Sequence, residues 1–247
     1  MTDYLDTASG RRIAYNFSAG QGPAIVFLGG FMSDMDGTKA IALEDWARAQ
    51  GRSFLRFDYS GHGQSSGAFE DGCIGHWFED ARAAIEELAT GKLMLVGSSM
   101  GGWISLLLAR AIPQRLVGLV GIAAAPDFTE DGYWAGFSDD ERAELMSKGR
   151  IMVPSDYDAP YPVTRGLIED GRHHLVLREP LDLPFPVRLL QGTADSSVGA
   201  DRPLRLIDHA TCPDMRLTFV KGADHSFSTP ECLALITSTI QEIEALS

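Results

Sequence analysis

The stretch from Leu93 to Trp103, Leu-Met-Leu-Val-Gly-Ser-Ser-Met-Gly-Gly-Trp, limits what this chain can fold into more than any other. Four apolar residues read as a buried strand. They stop at Gly97-Ser98-Ser99-Met100-Gly101, and a helical pattern resumes at once through Arg110. A strand that becomes a helix within so few residues needs a sharp, strained corner, and Gly-x-Ser-x-Gly supplies one. A Cβ at Gly97 or Gly101 would collide with the neighbouring strand or with the helix start. Ser99 is then expected above the sheet edge at a helix N-terminus, where free N–H groups and the dipole favour negative charge. The same five residues could also close an inert Gly/Ser-rich loop, so the remaining strands have to decide.

The rest of the chain has the same rhythm. Strands are expected at Arg12–Phe17, Ala24–Leu28, Ser53–Tyr59, Leu116–Ala123, Phe185–Leu190 and Met215–Val220. Helices are expected over residues 36–50, Trp77–Ala89, Met100–Ala111, Arg202–His209 and Pro230–Leu246. Pro-Ala-Ile-Val-Phe-Leu is apolar on both faces, as a strand covered by helices on each side must be. Strand and helix in alternation mean an α/β fold with a mostly parallel sheet and right-handed crossovers. A length of 247 residues suits one such domain. The rhythm breaks at about residues 127–183. That stretch carries Tyr133-Trp134, a charged helix Ser138–Lys148, prolines at 154, 160, 162 and 180, and a short helix near Thr164–Gly171. It is too long for an ordinary βα loop and is expected to form a small helical lid over the C-terminal edge of the sheet. A surface excursion that never meets the site is the alternative.

A serine hydroxyl is a poor nucleophile at neutral pH and needs a base within hydrogen-bond reach. Histidine suits that task, and a carboxylate must then orient the ring and stabilise the imidazolium. In open parallel sheets such groups collect at the C-terminal strand ends. Three strands here end in one candidate each: Ser99, Asp195 in Gly192-Thr193-Ala194-Asp195, and His225 in Ala223-Asp224-His225-Ser226. Asp127 is the second choice for the acid. Asp224 adjoins the base and is expected to point away from it, and Asp58 is expected to pair with Arg56 and Tyr59. His62 is expected to bond backbone in its turn, and His76 and His209 to lie on the surface. An oxyanion hole needs two backbone N–H groups. Met100 should give one, and the loop after Ala24–Leu28 the other, from Phe31 first and Met32 second.

No cofactor or metal is expected. His173 and His174 lack further ligands at metal spacing, and Cys73, Cys212 and Cys232 are scattered and read as reduced thiols. The net charge of −13 argues against nucleic acid or an anionic membrane as partner. No apolar run approaches the roughly 20 residues of a spanning helix. The acidic start, Met-Thr-Asp-Tyr-Leu-Asp, has neither a signal peptide's apolar core nor a transit peptide's arginines. The expected compartment is therefore the cytoplasm.

Taken together, Gly97-Ser98-Ser99-Met100-Gly101, Gly192-Thr193-Ala194-Asp195, Asp224-His225 and Ser60-Gly61-His62-Gly63-Gln64-Ser65 resemble the α/β-hydrolase superfamily from about Arg12 to Leu246. Gly37-Thr38-Lys39-Ala40, Arg56-Phe57-Asp58-Tyr59-Ser60-Gly61, Gly102-Trp103, His173-His174 and Arg188-Leu189-Leu190 look like the mitochondrial abhydrolases that act as palmitoyl-protein thioesterases and acyl-glucuronide esterases. That resemblance implies Ser99, Asp195 and His225 as the triad of a serine hydrolase and a small-molecule or acylated ester or thioester as substrate. The chain departs from the pattern in having Gly29-Gly30 where many superfamily members have His-Gly. The lid residues Phe128, Tyr133, Trp134, Phe137, Met152 and His174 are candidates to contact an acyl chain, although the same aromatics could pack as core. An amide, peptide or carbon–carbon hydrolase with the same triad, and a binding protein that lost catalysis, are the competing readings.

Overall fold

A computed structural model describes residues 2–154 and 160–246, so residues 155–159 of the expected insertion lie outside the described residues. The strands in chain order are β1 (Asp3–Asp6), β2 (Arg12–Ser18), β3 (Gln21–Leu28), β4 (Arg52–Phe57), β5 (Leu93–Ser98), β6 (Leu116–Ile122), β7 (Arg150–Val153), β8 (Tyr161–Thr164), β9 (Val187–Gly192) and β10 (Met215–Val220). Eight of them form one sheet in the order β1-β2-β4-β3-β5-β6-β9-β10, and β7 and β8 form a separate hairpin. From β4 to β10 every neighbour is parallel, while β1 and β2 join antiparallel at one edge.

The central strands bury both faces. In β3, Ala24, Val26 and Leu28 enter one core and Ile25 and Phe27 the other. Helices α1 (Thr38–Ala49) and α7 (Pro230–Glu244) cover one face and pack on each other. The other face carries α2 (Ile74–Leu88) and α3 (Met100–Ala111), with α6 (Asp201–His209) against β10. No described helix is long and apolar enough to cross a membrane.

The departures from expectation are local. β1 is an edge strand from an acidic segment that carries no apolar alternation; its pairing, Asp3 with Tyr15 through Asp6 with Arg12, is set by β2. α2 begins at Ile74 rather than Trp77, because the N–H of Gly75 in its first turn is met by the Asp170 carboxylate at 2.8 Å, a partner 95 residues away. The stretch after β6 opens with a wide π-type turn, Phe128–Trp134, then α4 (Asp139–Lys148), the β7–β8 hairpin and α5 (Arg165–Gly171). Ser138 and Glu141 close a capping box on α4, as their spacing suggests. The hairpin is not among the elements expected of a helical insertion; Pro162, opposite Met152, is tolerated on a two-stranded edge.

Candidate active site

The loops after β3, β5, β9 and β10 open at the same edge because these strands are parallel. Ser99 sits between β5 and α3 at φ 53° and ψ −117°. An L-residue is strained there by about 1–3 kcal/mol. Its N–H donates to Ile122 O at 2.9 Å, and its carbonyl accepts the N–H of Gly102 at 2.9 Å and of Ala125 at 3.1 Å. A Cβ on Gly97 would strike the Gly101 carbonyl and the Ser105 hydroxyl, and one on Gly101 would strike the Leu28 carbonyl of β3. The two glycines thus let strand, corner and helix close on one another.

His225, after β10, lies between Ser99 and Asp195. Its Nδ1 is 2.9 Å from Asp195 Oδ2, and its Nε2 is 3.1 Å from Ser99 Oγ. A carboxylate can only accept, so Nδ1 donates and Nε2 is left to accept from the serine hydroxyl. The Asp195 side chain is fully buried. Its Oδ1 accepts the N–H groups of Ser197 and Val198 at 2.9 and 2.8 Å, and Oδ2 accepts from Gln191 Nε2 at 2.9 Å as well as from His225. Burial opposes ionisation, yet the bonds from His225, Val198 and Gln191 outweigh it and hold Asp195 below the usual carboxylate range. On the far side of the histidine, Lys39 Nζ donates to Ser226 O, and burial pushes its ammonium below the ordinary lysine range. Asp224 is turned away and accepts the Phe227 N–H at 3.1 Å.

The loop after β3 makes a tight turn at Gly30–Ser33. Ser33 donates to Gly30 O through its N–H at 3.2 Å and its hydroxyl at 2.8 Å. A Cβ on Gly30 would lie 3.4 Å from Ser99 Cβ, so the turn runs beside the serine. The Phe31 N–H has no acceptor among the described residues, and the Met100 N–H, first in α3, has no intrahelical one. The Met32 N–H is different: it donates to His62 Nε2 at 3.3 Å. His62 bonds backbone as expected.

Other candidates fall elsewhere. Asp127, the second choice for the acid, is buried after β6 and accepts the N–H groups of Val176 and Leu177 at 2.8 and 3.0 Å. Asp58 does not pair with Arg56: it accepts the N–H groups of Met35 and Gln64, while Arg56 bonds Glu44 and Asp36. Phe128 and Tyr133 do converge on Phe31, with ring centroids 5.6 and 6.2 Å away, and Phe69, Trp77 and Tyr161 complete the cluster. Trp134 does not join it; its ring lies under the guanidinium groups of Arg142 and Arg172. His174 is drawn away too, toward Asp170 at 3.5 Å, and its carbonyl accepts Trp103 Nε1–H at 3.0 Å. Phe137 is buried against Tyr133, and Met152 is exposed. No cluster of metal-ligating side chains occurs among the described residues, and Cys73, Cys212 and Cys232 are free.

Gln191, Lys39, Phe69 and Tyr161 join these residues without being site candidates in the sequence. Gln191 had a visible signal, since it ends the same strand whose loop carries Asp195. Tyr161 had none, because only the hairpin brings it to Phe31.

Residues 22–152 match the Hydrolase_4 family, described as serine aminopeptidase, S33. Mouse mitochondrial palmitoyl-protein thioesterase ABHD10 is 34% identical over 242 residues, which is 97% of this chain and 81% of the mouse protein. Among solved structures, a putative hydrolase from Agrobacterium vitis S4 superposes with a TM-score of 0.94 at 39% identity over 98% of each chain. The mouse α/β-hydrolase domain-containing protein 10 does so with a TM-score of 0.92 at 32% identity over 100% of each chain.

Proposed function

Because the chain belongs to the Hydrolase_4 family of α/β-hydrolases, we propose that it is a serine hydrolase that cleaves carboxylic esters or thioesters through an acyl-enzyme. One observation carries the reading: the hydrogen-bonded series Ser99 Oγ, His225, Asp195 at 3.1 and 2.9 Å. Ser99 attacks the acyl carbonyl as His225 Nε2 takes its proton. Asp195 keeps the proton on Nδ1 and stabilises the imidazolium. The oxyanion accepts from the Phe31 and Met100 N–H groups. His225 then gives its proton to the leaving group, and activates the water that releases the acid. Losing one oxyanion donor typically costs about 10²–10³ in rate.

The thioesterase names of the curated relatives support an acyl substrate. So does the ring cluster around Phe31, which offers Phe128, Tyr133 and Tyr161 from the insertion as an apolar wall. The insertion acts as a lid in this reading. The aminopeptidase description of the matched family favours an amide as the second reading.

The test is a panel of p-nitrophenyl esters, acyl-CoA thioesters and aminoacyl arylamides, assayed on the wild type and on Ser99→Ala. Turnover of esters or thioesters is expected, with none in Ser99→Ala and no fluorophosphonate labelling of that variant. Hydrolysis of arylamides alone would replace the ester reading with the amide one, and undiminished turnover by Ser99→Ala would sink the mechanism.

A further inference from the structure

We propose that His62 is a positioning residue for the oxyanion hole: its neutral imidazole holds the central peptide of the Gly30–Ser33 turn and thereby sets the aim of the Phe31 N–H beside Ser99. The proposal rests on the serine-hydrolase reading above and adds to it a residue outside the triad.

The turn leaves its central peptide underdetermined. Its closing bond, Ser33 N–H to Gly30 O, is common to the two main β-turn forms, which differ by a flip of the peptide between the second and third residues. Here those residues are Phe31 and Met32. Met32 has φ 57°, the form in which glycine is usual at the third place. Its side chain is 52% exposed, so packing contributes little to holding that strained backbone. What holds the flipped peptide is the bond from Met32 N–H to His62 Nε2 at 3.3 Å.

The imidazole is well placed to be a fixed acceptor. It is 4% exposed and lies edge-on to Tyr59, Phe69 and Trp77, with ring centroids 5.7, 5.2 and 5.2 Å away. A backbone N–H can only donate, so Nε2 must be bare and Nδ1 must carry the proton. Nδ1 then donates to Ser60 O at 3.2 Å, an oxygen that also accepts Trp77 Nε1–H at 3.0 Å. Ser60 is tied in turn to the buried Asp80 carboxylate through its N–H at 2.9 Å and its hydroxyl at 2.6 Å. Ring contacts and the bond to Ser60 O thus hold the acceptor from behind.

Without that acceptor, the peptide between Phe31 and Met32 is free to turn over, which relieves the positive φ of Met32. The same motion rotates the Phe31 Cα–C bond and loosens the residue whose N–H the proposed mechanism assigns to the oxyanion. The Phe31 ring cluster does not prevent this, because ring contacts do not fix the peptide that follows. Ground-state substrate binding makes little use of this N–H, whereas the developing oxyanion depends on it.

The test compares His62→Asn with His62→Gln on one p-nitrophenyl ester, with Ser99→Ala alongside. A glutamine amide oxygen reaches about as far as Nε2, whereas an asparagine oxygen stops near Nδ1. His62→Asn is expected to lose about tenfold or more in kcat and in the rate of fluorophosphonate labelling, with KM changed less than about twofold. His62→Gln is expected to recover most of the loss. Wild-type kcat in His62→Asn, or equal impairment of two variants with the same unfolding midpoint, would overturn the proposal. Should His62→Asn fail to fold, a kcat for His62→Gln more than about tenfold below wild type overturns it, and one within about threefold supports it. Activity surviving in Ser99→Ala would instead strike the serine-hydrolase reading, so the two failures are separable.

Discussion

Gln191 Nε2 donates to Asp195 Oδ2 at 2.9 Å, on the same oxygen that receives His225 Nδ1. The glutamine amide is buried at the end of β9 and also donates to Val198 O at 3.0 Å, so it braces the carboxylate against its own loop. With the two backbone donors on Oδ1, both carboxylate oxygens are engaged and the group is held in one orientation toward the imidazole.

Removing that brace should change both rate and acid stability. Asp195 has a folded pKa depressed below its unfolded value of about 3.9. Its contribution to stability is therefore present above that unfolded value and is lost as pH falls through the folded pKa. Gln191→Leu deletes one of the bonds that depress it, so the folded pKa climbs and the contribution shrinks. Acid unfolding followed by circular dichroism should begin at a higher pH than in the wild type. The kcat should fall about tenfold as His225 loses its fixed partner. An unshifted acid transition with unchanged kcat would show that the amide is passive.

The parts of this molecule that repeat with a period were legible in the sequence. β3, β5, β6 and β9 are apolar runs between turn residues, and the corner at Ser99 is announced by Gly97 and Gly101, two places to either side of it. The meeting of Ser99, His225 and Asp195 was legible because each follows a strand of one parallel sheet. Long-range partners were not. The cap on α2 is Asp170, and the acceptor for Met32 is His62; neither spacing is encoded locally. Within the insertion, Phe128 and Trp134 have the same composition signal, yet the wide turn sends one ring to Phe31 and the other beneath Arg142 and Arg172.

Lys39 gives a prediction in which stability and rate part company. Its ammonium is desolvated beside the loop that carries His225, and it donates to Ser226 O. Lys39→Met keeps the stem and removes both the desolvation cost and the bond. These oppose each other, so the unfolding free energy should move by no more than about 1 kcal/mol. The histidine loop loses its tether, and kcat should fall about fivefold to tenfold with KM little changed. Urea unfolding and steady-state kinetics on the same preparation decide it. A fall in stability with kcat intact would make Lys39 a packing residue.

Asp127 and Asp195 were rivals for one role, and geometry separates them in a way that asparagine can test. Asp195→Asn exposes His225 Nδ1 to an amide that can turn either its oxygen or its NH2 toward the ring, so the tautomer is no longer enforced. A loss in kcat of about 10⁴ is the expected scale for a triad acid. Asp127 instead accepts the Val176 and Leu177 N–H groups and an Arg178 guanidinium at 3.3 Å, fastening the end of the insertion beneath the sheet edge. It takes the left-handed backbone at φ 56°, which asparagine also tolerates. Burial raises its pKa and the two backbone donors offset that only in part. The neutral amide therefore costs little in charge, although it accepts on one oxygen instead of two. Asp127→Asn should lose about 1–2 kcal/mol in urea unfolding, and Asp127→Ala about 3 kcal/mol as two buried N–H groups go unmet. Both should keep kcat within about threefold while KM rises as the insertion loosens. A collapse of kcat in Asp127→Asn, with Asp195→Asn still active, would exchange the roles of the two carboxylates.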